Sequence, residues 1–158
     1  MFYPTGGTAL DVAVKLADGS LVYDKAMRDR STEETEREAV SYATRWREGI
    51  DRVGLLQADR QAEFEALLDL LERRGIEVVL YLGPYHPTTY AYFLRERNLR
   101  LGGAVEDYLR AEAKRRGISI LGSYDPSRAG VEAGDFFDAL HVRESGVEKI
   151  FRASGQGE

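Results

Sequence analysis

The run at residues 76–82, "IEVVLYL", constrains the fold more than any other part of the chain. Apart from Glu77 it is apolar at successive positions, rich in β-forming residues, and stopped by Gly83-Pro84. A strand with one wet face alternates polar and apolar residues. A strand apolar on both faces belongs in the middle of a parallel sheet, with helices above and below. Parallel neighbours need long crossovers, so the flanking sequence should read as helix.

It does. Upstream, "STEETEREAVSYATRWREGI" opens with Ser31 and Glu34 at capping-box spacing and sets Ala39, Ala43, Trp46 and Ile50 on one helical face. A second helix is predicted from about Asp59, with Phe64, Leu67, Leu68 and Leu71 inward and Gly75 as its left-handed stop. Downstream come a short helix over residues 88–97, a longer one over 103–116 stopped by Gly117, and a second strand, "ISILGSY". Helix, strand, helix, strand with short connections predicts an α/β fold with a mainly parallel sheet.

The remaining segments are smaller. Residues 9–23 alternate around Asp18-Gly19, which predicts a β-hairpin. Residues 125–135, "DPSRAGVEAGD", read as a loop, and residues 145–152 as a final helix capped by Ser145. The closing "SGQGE" is expected to be disordered. With no repeat, low-complexity tract or linker, the expectation is one domain over residues 1–152, residues 1–57 being its atypical part, and a flexible tail over 153–158.

Composition narrows the function classes. The chain has 158 residues, 43% hydrophobic and 31% charged, enough for one core without metal or disulfide staples. A net charge of -5 argues against nucleic-acid partners, since phosphate binding needs a clustered excess of Lys and Arg. The basic run "KRRG" at residues 114–117 is better read as a helix end, where cations complement the dipole. With no cysteine, thiol chemistry and Cys-ligated zinc are excluded, and the compartment is left open. No run approaches the ~18 apolar residues of a membrane span, and the first residues lack the basic-then-apolar order of a signal peptide.

Two histidines carry the chemical argument. His141 stands in "GDFFDALHVRESG", three residues after Asp138, and His86 stands in "LGPYHPTTY", directly after the apolar strand. One turn of spacing lets the Asp138 carboxylate take the Nδ1 proton of His141 in a hydrogen bond and turn Nε2 outward as a base. The alternative is structural, with Asp138 capping a turn and His141 packing beside Phe136, Phe137 and Leu140. Ligands of open parallel sheets bind beyond the carboxyl ends of the strands. His86 with Pro84 and Tyr85, Asp125, and the 138/141 pair are therefore expected along one edge.

"YDPSRAGVEAGDFFDALHVRESGVEKI" resembles the C-terminal block of SGNH (GDSL-type) hydrolases, and "RRGIEVVLYLGPYHPTTY" is similar to the strand and Pro-bounded loop of the branch acting in polysaccharide and cell-envelope acylation. The resemblance covers residues 58–152. It implies a flavodoxin-like three-layer sandwich, incomplete here, with His141 as general base, Asp138 as its orienter and no cofactor. It implies acyl-ester hydrolysis or transfer on carbohydrate, with Pro84, Tyr85, His86 and Asp125 on the substrate side, and relatives that are usually exported. The Gly-Asp-Ser block that carries the family's nucleophile is not found in residues 1–57. "DGS" at residues 18–20 reads as a hairpin turn, and Ser31 as a helix cap.

Two readings follow: a later part of a longer hydrolase, or a domain that binds carbohydrate or protein without catalysis. An open sheet edge would be covered by a second copy or a partner domain. The binding reading would use Tyr85, His86, Tyr90 and Tyr92 as flat faces for sugar rings. A third reading, a metal-dependent hydrolase, would recruit Asp125, Asp135, Asp138, His141 and His86, whose spacing matches no metal signature.

Overall fold

The computed structural model describes residues 12–17, 19, 21–50, 57–95 and 101–153. The chain is α/β. A two-stranded antiparallel hairpin, β1 (Val14–Lys15) and β2 (Leu21–Val22), leads into the short helix α1 (Lys25–Arg28) and the long α2 (Thr32–Ile50). Then follow α3 (Ala58–Arg73), β3 (Val79–Leu82), α4 (Pro87–Arg95), α5 (Leu101–Arg116) and β4 (Ser119–Gly122). Helix α6 (Pro126–Ala129), a 3₁₀ turn (Ala133–Asp135) and α7 (Glu144–Ala153) complete the described chain.

Local chemistry explains most of these boundaries. The amide of Ser31 donates to Glu34 Oε2 at 2.8 Å and the amide of Glu34 donates to Ser31 Oγ at 3.2 Å, a reciprocal capping box before α2. Ala39 and Ala43 of that helix are wholly buried. The Trp46 and Ile50 side chains lie outside the described residues. Helix α3 ends where Gly75 turns left-handed (φ +66°), letting the amide of Ile76 reach back to the carbonyl of Leu71.

β3 and β4 pair in parallel, with Val79 opposite Ser119 and Leu82 opposite Gly122. Gly122 has φ +74°, and a Cβ there would lie 2.4 Å from the carbonyl oxygen of Leu82, so the strands close tightly at the end that leads to the site. Helices α5 and α7 pack on β4.

Four expectations need correction. Among the described residues β3 has one neighbour, and its Val79 and Tyr81 are 44% and 48% exposed, so it is not covered on both faces. Leu67 of α3 points outward at 50% exposure, and only Leu68 of the expected set is fully buried. The 125–135 loop contains α6 and the 3₁₀ turn, because Asp125 supplies a cap directly before Pro126. Ser145 lies inside α7 and bonds Asp135 at 3.3 Å instead of capping the helix. The SGQGE tail and Asp18 lie outside the described residues.

Candidate functional site

Asp138 and His141 lie on a small backbone loop, not on a helix. Phe136 and Val142 form an antiparallel bridge, and the amide of Phe137 donates to the carbonyl of His141 at 2.8 Å. Within that loop Asp138 Oδ1 accepts from the amides of Leu140 and His141, each at 2.8 Å. This is the Asx-type turn that a short carboxylate side chain favours. The same turn delivers the imidazole, with His141 Nδ1 2.8 Å from Asp138 Oδ2.

The structural and chemical readings of the pair therefore coincide in one carboxylate. Burial pushes the Asp138 carboxyl upward, but hydrogen bonds from the His141 ring and from both amides outweigh it and hold the group below its ordinary value. An ionised carboxylate only accepts, so Nδ1 carries the proton and Nε2 of the neutral ring presents a lone pair. The His141 side chain is 50% exposed and that of Asp138 18%, so the imidazole reaches solvent while the carboxylate that holds it is shielded. Among the described residues no serine or threonine hydroxyl is hydrogen-bonded to Nε2.

His86 is built in the opposite sense. It is fully buried and precedes Pro87, the first residue of α4. Its Nδ1 accepts from the amide of Thr88 at 3.3 Å, acting as an imidazole cap on the helix. An amide can only donate, so the neutral His86 ring carries its proton on Nε2. Among the described residues that Nε2 has no hydrogen-bond partner, and the Glu36 Oε2 oxygen is 3.7 Å away. Burial pushes the imidazole below its ordinary value, against the opposing pull of Glu36 and Asp138.

The loops expected to share one edge are stitched together by backbone. The amide of Tyr85 donates to the carbonyl of Tyr124 at 3.1 Å, and the amide of His86 donates to the carbonyl of Ala139 at 2.9 Å. Their side chains diverge, however. His86 packs edge-on against Phe136 beneath the loop (5.3 Å), and Pro84 is fully buried. Tyr85 joins an apolar cluster with Tyr42, Ala43, Tyr92 and Phe93. Asp125 is spent at the start of α6, accepting from Ser127 N and Ser127 Oγ at 2.9 and 2.7 Å. Of the aromatic platform read from the sequence, Tyr85 and Tyr92 are thus partly buried in this cluster, where α4 packs on α2.

The ligands proposed for a metal do not converge either. Asp135 is buried against Lys149 Nζ at 2.7 Å, and among the described residues no three His, Asp or Glu side chains gather as a ligand set.

Several contributors were not read from the sequence. Tyr23, following the hairpin, sets its ring 5.4 Å from the His141 ring and 5.3 Å from Phe137. Arg143 spreads its guanidinium over three carbonyls, Phe136, Arg28 and Arg30, each at 2.9 Å, and lies 4.5 Å above the Phe137 ring. Arg30 and Thr35 return bonds to the carbonyl of Phe137 at 3.2 and 3.3 Å. The N-terminal segment is in this way fastened to the His141 loop. The nearby signals in the sequence were the hairpin over residues 9–23 and the capping box before α2, neither of which points to the contact with His141.

No family model, curated protein or solved structure matches the chain. No helix among the described residues is long and apolar enough to cross a membrane.

Proposed function

We propose that this chain carries the base half of an SGNH-hydrolase-like centre that hydrolyses or transfers O-acyl esters on carbohydrate. The observation that carries the proposal is the Asp138–His141 contact at 2.8 Å, with the carboxylate shielded and the imidazole half exposed. The finer fold reading, a flavodoxin-like three-layer sandwich, belongs to the same proposal and draws support from the parallel β3/β4 pair.

In this reading Nε2 removes the proton of an attacking hydroxyl as its oxygen bonds to the acyl carbon. When the tetrahedral centre collapses, the ester C–O bond breaks and the imidazolium returns the proton to the departing sugar oxygen. The hydroxyl is that of water for hydrolysis or of an acceptor sugar for transfer. His86 acts through position, its backbone amide donating a hydrogen bond to the carbonyl of Ala139 in the His141 loop, and Pro84 is buried beside it in sequence.

The test is cleavage of a short-chain aryl acetate and of an acetylated sugar by the purified chain, with His141→Ala alongside. The proposal expects cleavage that is lost in the variant. Equal rates for the two proteins, both folded, would overturn it.

A further inference from the structure

We infer that Tyr23 is a positioning residue for His141. The inference rests on the reading of His141 as the base, but its test needs no turnover.

Among the described residues the His141 ring is hydrogen-bonded at one atom, Nδ1, which meets the Asp138 carboxylate, and half of its side chain is exposed. A single hydrogen bond leaves rotation about the side-chain bonds open, and an imidazole that swings away from Asp138 loses the contact that fixes its tautomer. One aromatic face limits that rotation. The Tyr23 ring is tilted 57° against the imidazole at 5.4 Å and 55° against Phe137 at 5.3 Å, so it fills the space beside the base. Distances and tilts of this kind are those of a favourable aromatic pair.

Tyr23 is itself held in place. Its carbonyl accepts from Arg28 Nη1 at 2.7 Å, and the next residue, Asp24, caps α1 by accepting from the amide of Met27 at 2.8 Å. The carbonyl of Arg28 is in turn bound by Arg143, which also grips the carbonyl of Phe136 at the base of the His141 loop. The chain thus runs from Tyr23 through α1 and Arg143 back to the loop that bears the base, a closed circuit of contacts. Burial, then the Asp138 charge, push the Tyr23 hydroxyl upward from its ordinary value. A neutral ring can pack there without repelling Asp138.

The experiment measures two properties of His141 in the full chain and in Tyr23→Phe, Tyr23→Leu and Tyr23→Ala. One is the rate of carbethoxylation of His141 by diethyl pyrocarbonate, resolved by mass spectrometry. The other is the ¹⁵N signature of the ring tautomer. Tyr23→Phe should match the parent in both. Tyr23→Leu and Tyr23→Ala should raise the modification rate by about two- to tenfold, the factor that corresponds to one aromatic contact, and should mix the tautomers. Tyr23→Leu keeps bulk at the position if Tyr23→Ala fails to fold. Parent-like rates and tautomers in folded Tyr23→Leu would overturn the inference, whether or not the chain cleaves any ester.

Discussion

His86 and His141 are the same side chain put to opposite uses within one patch of structure. Each imidazole is fixed through Nδ1, but His86 Nδ1 accepts from an amide whereas His141 Nδ1 meets a carboxylate. The acceptor at His86 forces its proton onto Nε2, inside the protein, next to Phe136. The carboxylate at His141 draws the proton to Nδ1 and leaves a basic lone pair in water. What distinguishes the helix cap from the proposed general base is the partner of one nitrogen, and the local backbone chooses that partner. Pro87 starts a helix after His86; the Asx turn of Asp138 folds a loop around His141.

The sharpest way to break this contrast is to remove each ring. His141→Ala and Asp138→Asn are expected to lower ester cleavage by about 10²- to 10⁴-fold, the usual worth of a positioned base. The thermal midpoint of His141→Ala should move by no more than about 3 °C, because the ring is half exposed. Steady-state rates and a melting scan on the same samples check both parts.

His86→Ala should behave in the reverse manner. It deletes a fully buried ring and the cap of α4, and should cost about 3 kcal/mol in urea unfolding. Any loss of activity should follow the loss of folded protein.

Acid should separate the two sites next. The folded-state value of His86 is depressed below its ordinary 6.5, so its contribution to stability is complete above that pH. It is lost as pH falls from there through the folded value, because the unfolded chain takes up the proton first. The slope should approach at most about 1.4 kcal/mol per pH unit and should vanish in His86→Gln. Asp138, also depressed, adds its loss only below the ordinary 3.8. A slope unchanged by His86→Gln would assign the acid sensitivity to other groups.

The smallest effect belongs to Asp125. Its carboxylate is occupied by Ser127, so Asp125→Ala should cost about 1 kcal/mol, the worth of a helix cap, and leave ester cleavage unchanged. A selective loss of cleavage on the acetylated sugar would return Asp125 to the substrate side.

Much of the local architecture was legible in the sequence, since it depends on near neighbours. The Ser31/Glu34 box, the Gly75 and Gly117 stops, the β3 and β4 strands and the 138/141 pair are all encoded within a few residues. What escaped depends on distant partners. Leu67 fits an apolar stripe as well as Leu68 does, and only the packing of α3 sends one out and the other in. The run at 76–82 reads as a covered strand, but covering it takes neighbours that the described sheet does not have. Tyr23 meets His141 across more than a hundred residues of chain, and no periodicity records such a contact. His86 follows the same logic, since its enclosure is set by Phe136 and Ala139 from the far end of the sequence.

The most direct test is to assign the ¹⁵N resonances of both imidazoles in the unmodified chain, just above neutral pH. Opposite tautomers are expected: Nδ1–H for His141, held by Asp138, and Nε2–H for His86, whose Nδ1 receives the Thr88 amide. The His141 pattern should be lost in Asp138→Asn while that of His86 persists. The same tautomer at both rings, or a His141 signal indifferent to Asp138→Asn, would contradict the contrast between the two sites.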